Sequence, residues 1–396
     1  VCTCARLAPM SLMLPAEPAH ARNLTALVPD AIASVSAPVS TPVTPPPRAG
    51  TLPRARSAVV VVIDGLGAAN LAARAGHGRF LASAMRKKDV AKSVFPTTTA
   101  AALTSLMTGA DPGEHGIVGY RVRVPDTGVL SNQLTGWETD GLDPATWQRR
   151  PTLFETAASH GVEGFVVSRE EYRHSGFTRA AFRGSTFDAA ASFADRLGLA
   201  LEHATAGAHR LVYAYAPELD SAGHRYGWES GEWIAALEEA DAAVRSLASA
   251  LPADVGVLVT ADHGMVDVAR TGHVLLREGD ELVAGVAAIA GEPRMLHLYA
   301  EPGRAAQVLE RWRAAESGRS WVLARDEAIA AGLFGRVDPE VRERIGDVLV
   351  AARGRIAYYD DRLTDKASQR MIGQHGSLTS AERIVPLIRL GAYAPG

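Results

Sequence analysis

Apolar runs of strand length alternate along this chain with longer segments of helical period. Two runs stand out, Ala58-Val59-Val60-Val61-Val62-Ile63 and Val255-Gly256-Val257-Leu258-Val259-Thr260-Ala261. Both are nearly continuous and rich in β-branched residues, as in strands buried on both faces. Each stops abruptly at polar chemistry: Asp64-Gly65 after the first, Asp262-His263-Gly264 after the second. Further runs predict strands over 90–95, 163–168 and 211–216. Helices are predicted over 100–108 (stopped by Gly109), 152–160, 187–204 and 231–250. The last carries Trp233, Leu237, Ala240, Val244 and Leu247 on one face, which makes Trp233 core filler. Residues 122–134, centred on Pro125-Asp126-Thr127-Gly128, read as a hairpin. Such alternation predicts an α/β fold with a central, mostly parallel sheet flanked by helices.

Residues 268–372 separate two of the polar motifs. They contain strand-like 282–290, 295–300 and 347–351 with helix 303–315, and are expected to form an inserted α+β subdomain within a domain spanning 57–396. Residues 1–56 are expected to be a peripheral N-terminal arm and linker, because 36–53 is rich in proline and includes Pro45-Pro46-Pro47. With 41 basic against 44 acidic residues and no long basic run, the chain lacks the signature of a nucleic-acid-backbone binder. No nucleic-acid polymer is expected as a partner. Cys2 and Cys4 are too close together and too terminal for a structural disulfide. No run of membrane-spanning length and no long apolar leader occur, so no membrane is expected and the cytoplasm is the expected compartment. The oligomeric state is left open.

The chemistry gathers at five short motifs. Asp64, Thr97-Thr98-Thr99, Asp220-Ser221-Ala222-Gly223-His224 and Asp262-His263 end strands or follow them closely, and Gly373-Gln374-His375-Gly376 lies near the C-terminus. In open α/β sheets ligands bind beyond the carboxyl ends of strands. Three carboxylates in one pocket require raised pKa values or cations between them. Three Asp and three His with a hydroxyl suit two divalent ions, and the absence of thiolates favours zinc, with Mn²⁺ or Fe as alternatives. A metal beside a Thr hydroxyl makes it a nucleophile, and the free N–H groups of the following helix would face a bound anion. On the triplet alone, Thr99 is equally an ordinary helix N-cap.

Together these residues carry a resemblance. Val62-Ile63-Asp64-Gly65, Phe95-Pro96-Thr97-Thr98-Thr99 with Met107-Thr108-Gly109, Pro217-Glu218-Leu219-Asp220 through His224-Arg225-Tyr226-Gly227, Thr260-Ala261-Asp262-His263-Gly264-Met265 and His375-Gly376 stand in order over about 57–390. The set resembles the type I phosphodiesterase/nucleotide pyrophosphatase branch of the alkaline phosphatase superfamily. That resemblance implies an alkaline phosphatase-like fold, with one metal on Asp220, His224 and His375. It places a second on Asp64, Asp262, His263 and the Thr99 oxygen. It makes Thr99 the nucleophile, forming a phospho-threonine intermediate on a small phosphodiester or nucleotide pyrophosphate.

The likeness weakens just after Thr99. Ala100 and Ala102 offer neither a ring for a nucleobase nor an amide for a phosphoryl oxygen, so the choice between diester and monoester stays open. His115 is either a replacement donor or a loop-fixing residue, and Tyr226 either approaches the leaving group or packs beside the metal loop. Alternatives to the diesterase are a phosphomonoesterase or phosphonate hydrolase of the same fold. A protein that keeps the metals and binds a phosphoester without turnover is a further one. A sulfatase is disfavoured, since no cysteine stands at the nucleophile position.

Overall fold

The structure, a computed structural model, describes residues 14–36 and 52–395. Its two larger sheets hold β1 (Arg22–Asn23), β2 (Ser57–Ile63), β3 (Val90–Lys92), β4 (Glu163–Ser168), β5 (Thr186–Ala189), β6 (Arg210–Ala216), β7 (Val255–Thr260), β8 (Val286–Glu292), β9 (Met295–Ala300), β10 (Ser320–Ala324), β11 (Val348–Ala352) and β12 (Ile384–Gly391). The central sheet has eight strands in the order β1-β3-β12-β7-β2-β6-β4-β5. β2 is buried along its whole length and pairs in parallel with β6 and β7, so that Val61 lies opposite both Ala214 and Val259. β4 and β5 extend the parallel run, and β12 enters antiparallel between β7 and β3. The α/β class and the mostly parallel sheet flanked by helices are as the sequence predicts.

β12 has no counterpart among the predicted strands, and Pro386 is the reason. A proline lacks the N–H that an interior strand needs. Here residues 384–386 pair with β3 and residues 387–391 with β7, so Pro386 falls where one ladder stops and the other starts. Residues 187–204, expected as one helix, divide into β5 and a helix at Phe193–Thr205. The divider is Ser192, whose side chain accepts from the Asp195 N–H as an N-cap. Helix Gly231–Ala250 matches its expected span, and Trp233 is fully buried in the core.

β8 to β11 form a four-stranded antiparallel sheet in the order β8-β9-β11-β10. Its side chains alternate with a period of two. Val348, Val350 and Ala352 join a cluster with Trp312, from helix Ala305–Glu316. Leu349 and Ala351 face the other way, into a cluster with Phe95, Val118, Val122 and Leu378. That second face welds the sheet to the turn before the threonines. The N-terminal segment differs from expectation. Leu24, Leu27, Val28, Ala31, Ile32 and Val35 are buried in the main core, because helix Leu27–Val35 presents an apolar face to β2 and β6. Most of the proline-rich stretch predicted as a linker lies outside the described residues.

Candidate active site

Parallel pairing in register sets three strand ends side by side. Val62 lies opposite Thr260, so Asp64 and Asp262 emerge at the same level. The Gly65 N–H donates to Asp262 Oδ1 at 3.2 Å, and the His263 N–H donates to the same oxygen at 2.9 Å. β6 runs through Pro217 into helix Glu218–Tyr226, which carries Asp220 and His224 one turn apart on the same face. The loop of His375 is tied to the threonine turn by several bonds. Thr97 N–H donates to Gly376 O at 3.1 Å, Gly376 N–H to Thr97 Oγ1 at 3.0 Å, and Thr97 Oγ1 to Ser377 O at 2.9 Å.

Thr99 is the first residue of helix Thr99–Thr108 rather than its cap; Thr98 holds the cap position and its side chain makes no capping bond. The Thr99 hydroxyl is buried and lies 3.1 Å from His263 Nε2. His263 Nδ1 donates to Gly264 O at 3.2 Å, which turns Nε2 toward the hydroxyl. Ala100, Ala101 and Ala102 are fully buried in the main core, so none of them lines an open pocket.

The other two imidazoles face each other. His224 Nδ1 donates to Gly373 O at 2.7 Å and His375 Nδ1 to Thr97 O at 2.8 Å. Their Nε2 atoms face one another at 3.2 Å, within hydrogen-bond distance. Asp220 adds its carboxylate, 3.4 Å from His224 Nε2 and 4.0 Å from His375 Nε2. His263 Nε2 lies 3.5 Å from Asp64 Oδ1 and 3.4 Å from Asp262 Oδ2, and its ring stacks on His375 with centroids 3.6 Å apart.

Among the described residues no Lys or Arg pairs with Asp64, Asp220 or Asp262. Asp64 Oδ1, Asp220 Oδ1 and Asp262 Oδ2 are buried without a hydrogen-bond partner. Burial, then the charges of Asp262 and Asp220, hold the Asp64 carboxyl well above its usual range. Burial, with His263 and His224 beside it, holds the His375 imidazole well below its own. Converging imidazole nitrogens with orphaned carboxylate oxygens are the donor set of a divalent-cation centre. Asp220, His224 and His375 form one group and Asp64, Asp220 and His263 a second, the ligand atoms of each within 4.8 Å of one another. Asp262 and Thr99 adjoin the second group.

Two polar residues of this neighbourhood escape a reading of the sequence. The Tyr215 hydroxyl donates to Asp64 Oδ2. Glu292, at the end of β8, places Oε2 at 3.4 Å from His375 Nδ1. Tyr215 looks like strand filler in an apolar run, and Glu292 has no motif around it. His115 proves to be the loop-fixing residue. It donates from Nε2 to Ser105 Oγ at 2.8 Å and accepts the Ile117 N–H on Nδ1 at 3.1 Å, so both ring nitrogens are used. Tyr226 is exposed, with the Arg225 guanidinium over its ring.

The sequence profile of the type I phosphodiesterase / nucleotide pyrophosphatase family matches residues 58–378. The chain belongs to that family. Within it, an uncharacterised pyrophosphatase/phosphodiesterase of Schizosaccharomyces pombe is 26% identical over 179 residues, 43% of this chain and 36% of that protein. A venom phosphodiesterase of Crotalus durissus collilineatus is 27% identical over 187 residues, 45% of this chain and 22% of that protein. The match thus spans about a third or less of these relatives' length. Among solved structures, murine ectonucleotide pyrophosphatase/phosphodiesterase 5 superposes with a TM-score of 0.65 at 18% identity, covering 83% of this chain and 87% of that one. Phosphonoacetate hydrolase from Sinorhizobium meliloti gives 0.64 at 21% identity, covering 85% and 91%. These likenesses establish the alkaline phosphatase-like fold. Among the described residues no helix is long and apolar enough to cross a membrane.

Proposed function

We propose that this chain is a di-metal hydrolase that cleaves a small phosphodiester or nucleotide pyrophosphate through Thr99. The observation that carries this is the buried Thr99 hydroxyl beside His263, at the edge of a carboxylate and imidazole cluster with which no Lys or Arg pairs among the described residues. Asp220, His224 and His375 would hold one ion, and Asp64, Asp262, His263 and the Thr99 oxygen the other. Zinc suits these donors best. Two such ions would lower the pKa of the Thr99 hydroxyl and offset charge on the phosphoryl oxygens. The Thr99 Oγ–P bond forms as the ester P–O bond to the leaving group breaks. Water then cleaves the phospho-threonine and restores the hydroxyl. The orienting bonds from the Gly65, His263 and Gly376 N–H groups would keep the Asp262 carboxylate and the threonine turn fixed through both halves.

An inactive threonine-to-alanine variant of the murine structural neighbour forms a complex with AMP, which supports a nucleotide-sized substrate here. A second reading is hydrolysis of a phosphonate, supported by the equal likeness to phosphonoacetate hydrolase and by the absence of a ring directly after Thr99. Turnover of bis-p-nitrophenyl phosphate, p-nitrophenyl phosphate and phosphonoacetate, compared on one zinc-loaded preparation, separates the readings. Diester turnover well above the other two is the expected result. Monoester or C–P turnover in excess would replace the proposal.

A further inference from the structure

Resting on the di-metal reading, we propose that Glu292 is a positioning residue for the cation ligand His375, supplied by the second sheet. The hairpin between β8 and β9 brings two charges to one place. Arg294 forms a fully buried, two-pronged pair with Glu382, at 2.7 and 2.8 Å. Glu382 in turn accepts the Ser377 N–H on Oε1 at 3.0 Å, and its backbone carbonyl accepts the Gly264 N–H at 2.8 Å. Glu292 goes to the other side of the same loop, where its Oε2 faces His375 Nδ1. The hairpin tip therefore grips the His375 loop from both flanks.

The loop is shaped to receive that carboxyl. Gly376 has a φ of 122°, and a Cβ there would stand 2.6 Å from Glu292 Cδ, so only glycine permits the approach. Arg294 and Glu382 satisfy each other, as a structural clamp should. Glu292 is not satisfied in this way: its Oε1 is buried without a hydrogen-bond partner, and among the described residues no Lys or Arg pairs with it. Burial first, then the charge of Glu382, hold the Glu292 carboxyl well above its usual range, and a buried polar group left so is costly to hold. What it provides is a carboxyl oxygen behind the ring whose far nitrogen faces the cation centre. The His375 N–H already donates to Thr97 O, with Glu292 Oε2 as a second acceptor near it. Carboxylates placed behind metal-bound imidazoles fix the ring and make its other nitrogen a stronger donor. On this view the inserted sheet sets how tightly the ion beside Asp220 is held.

The test is a Zn²⁺ titration of metal-free protein against a competing chromophoric chelator, with melting of the metal-free forms alongside. Glu292→Gln is expected to weaken Zn²⁺ binding by about 10–100-fold with the metal-free melting temperature unchanged or raised. Glu292→Asp, which keeps the carboxyl but withdraws it by a methylene, is expected to fall between and decides the matter if the Gln variant does not fold. Wild-type affinity in both variants overturns the role of Glu292 while leaving the di-metal reading intact. Glu292→Asp with wild-type affinity but a lowered metal-free melting temperature overturns it too, in favour of a structural prop. Wild-type protein that binds no Zn²⁺ overturns the di-metal reading and this inference together.

Discussion

Thr97, Thr98 and Thr99 are consecutive yet face different partners. Thr97 bonds the loop of Gly376 and Ser377, Thr98 stands at the helix cap beside Glu292, and Thr99 turns its hydroxyl to His263. Each position therefore fails differently. Thr99→Ala is expected to lower turnover by at least about 10³-fold while its Zn²⁺ content stays at the wild-type level. Retained turnover in that variant would remove Thr99 as the nucleophile. Thr97→Val leaves the Gly376 N–H and Ser377 carbonyl short of a partner in a buried place, a loss of about 1–3 kcal/mol in urea unfolding. A wild-type urea midpoint for this variant would show that the loop is held by other bonds. The six Asp and His residues are legible in the sequence because each is the polar stop of an apolar run or stands in a short His-Gly or Asp-x-x-x-His motif. Glu292 and Tyr215 are not, since their roles depend only on what the fold sets beside them.

Among the elements, the turn after β7 has no room to spare. A Cβ on Gly264 would lie 2.1 Å from the Ala381 carbonyl and 2.7 Å from Gly67 Cα, with backbone on both sides and no side chain free to yield. Gly264→Ala is expected to lose about 1–3 kcal/mol or more and to displace His263, read out as a lowered melting temperature together with weakened Zn²⁺ binding. A variant that melts like the wild type would mean the turn has room that the geometry denies. Far from the site, Thr152 and Glu155 close a reciprocal capping box on helix Leu153–Ala158. Thr152→Ala should cost about 1 kcal/mol with turnover unchanged. Elements with a strong period, such as β2, β7 and helix Gly231–Ala250, are readable from the sequence. The misread ones carry a local signal that tertiary pairing overrides: alanines after Thr186-Phe187 favour helix, yet β4 offers an edge to pair with. Leu27–Val35 is misplaced because its apolar face is short and precedes a proline-rich stretch.

For the molecule as a whole, cations bound only by the folded chain add about 2.7 kcal/mol at a hundredfold excess over Kd. Chelation is therefore expected to lower the melting temperature and added zinc to restore it; a melting curve indifferent to both would sink the metal reading. Acid sensitivity has a separate source. His115 and His297 are fully buried, and burial first, with Arg344 and Arg325 beside them respectively, pushes each down to about 3 from an ordinary 6.5. Below 6.5 each takes up a proton only on unfolding, so stability falls as pH drops from 6.5 toward 3, by up to about 1.4 kcal/mol per pH unit for each. Urea midpoints measured between pH 7 and 5 should decline less steeply in His115→Gln than in the wild type. Equal slopes would mean that His115 is not held neutral. The position of β12 carries a last consequence, for synthesis. While the polypeptide is still being made, β1 and β3 on one side and β7, β2, β6, β4 and β5 on the other have no strand to join them. Residues 384–391 are the keystone: until they are added, β3 and β7 each present an unpaired edge toward the other.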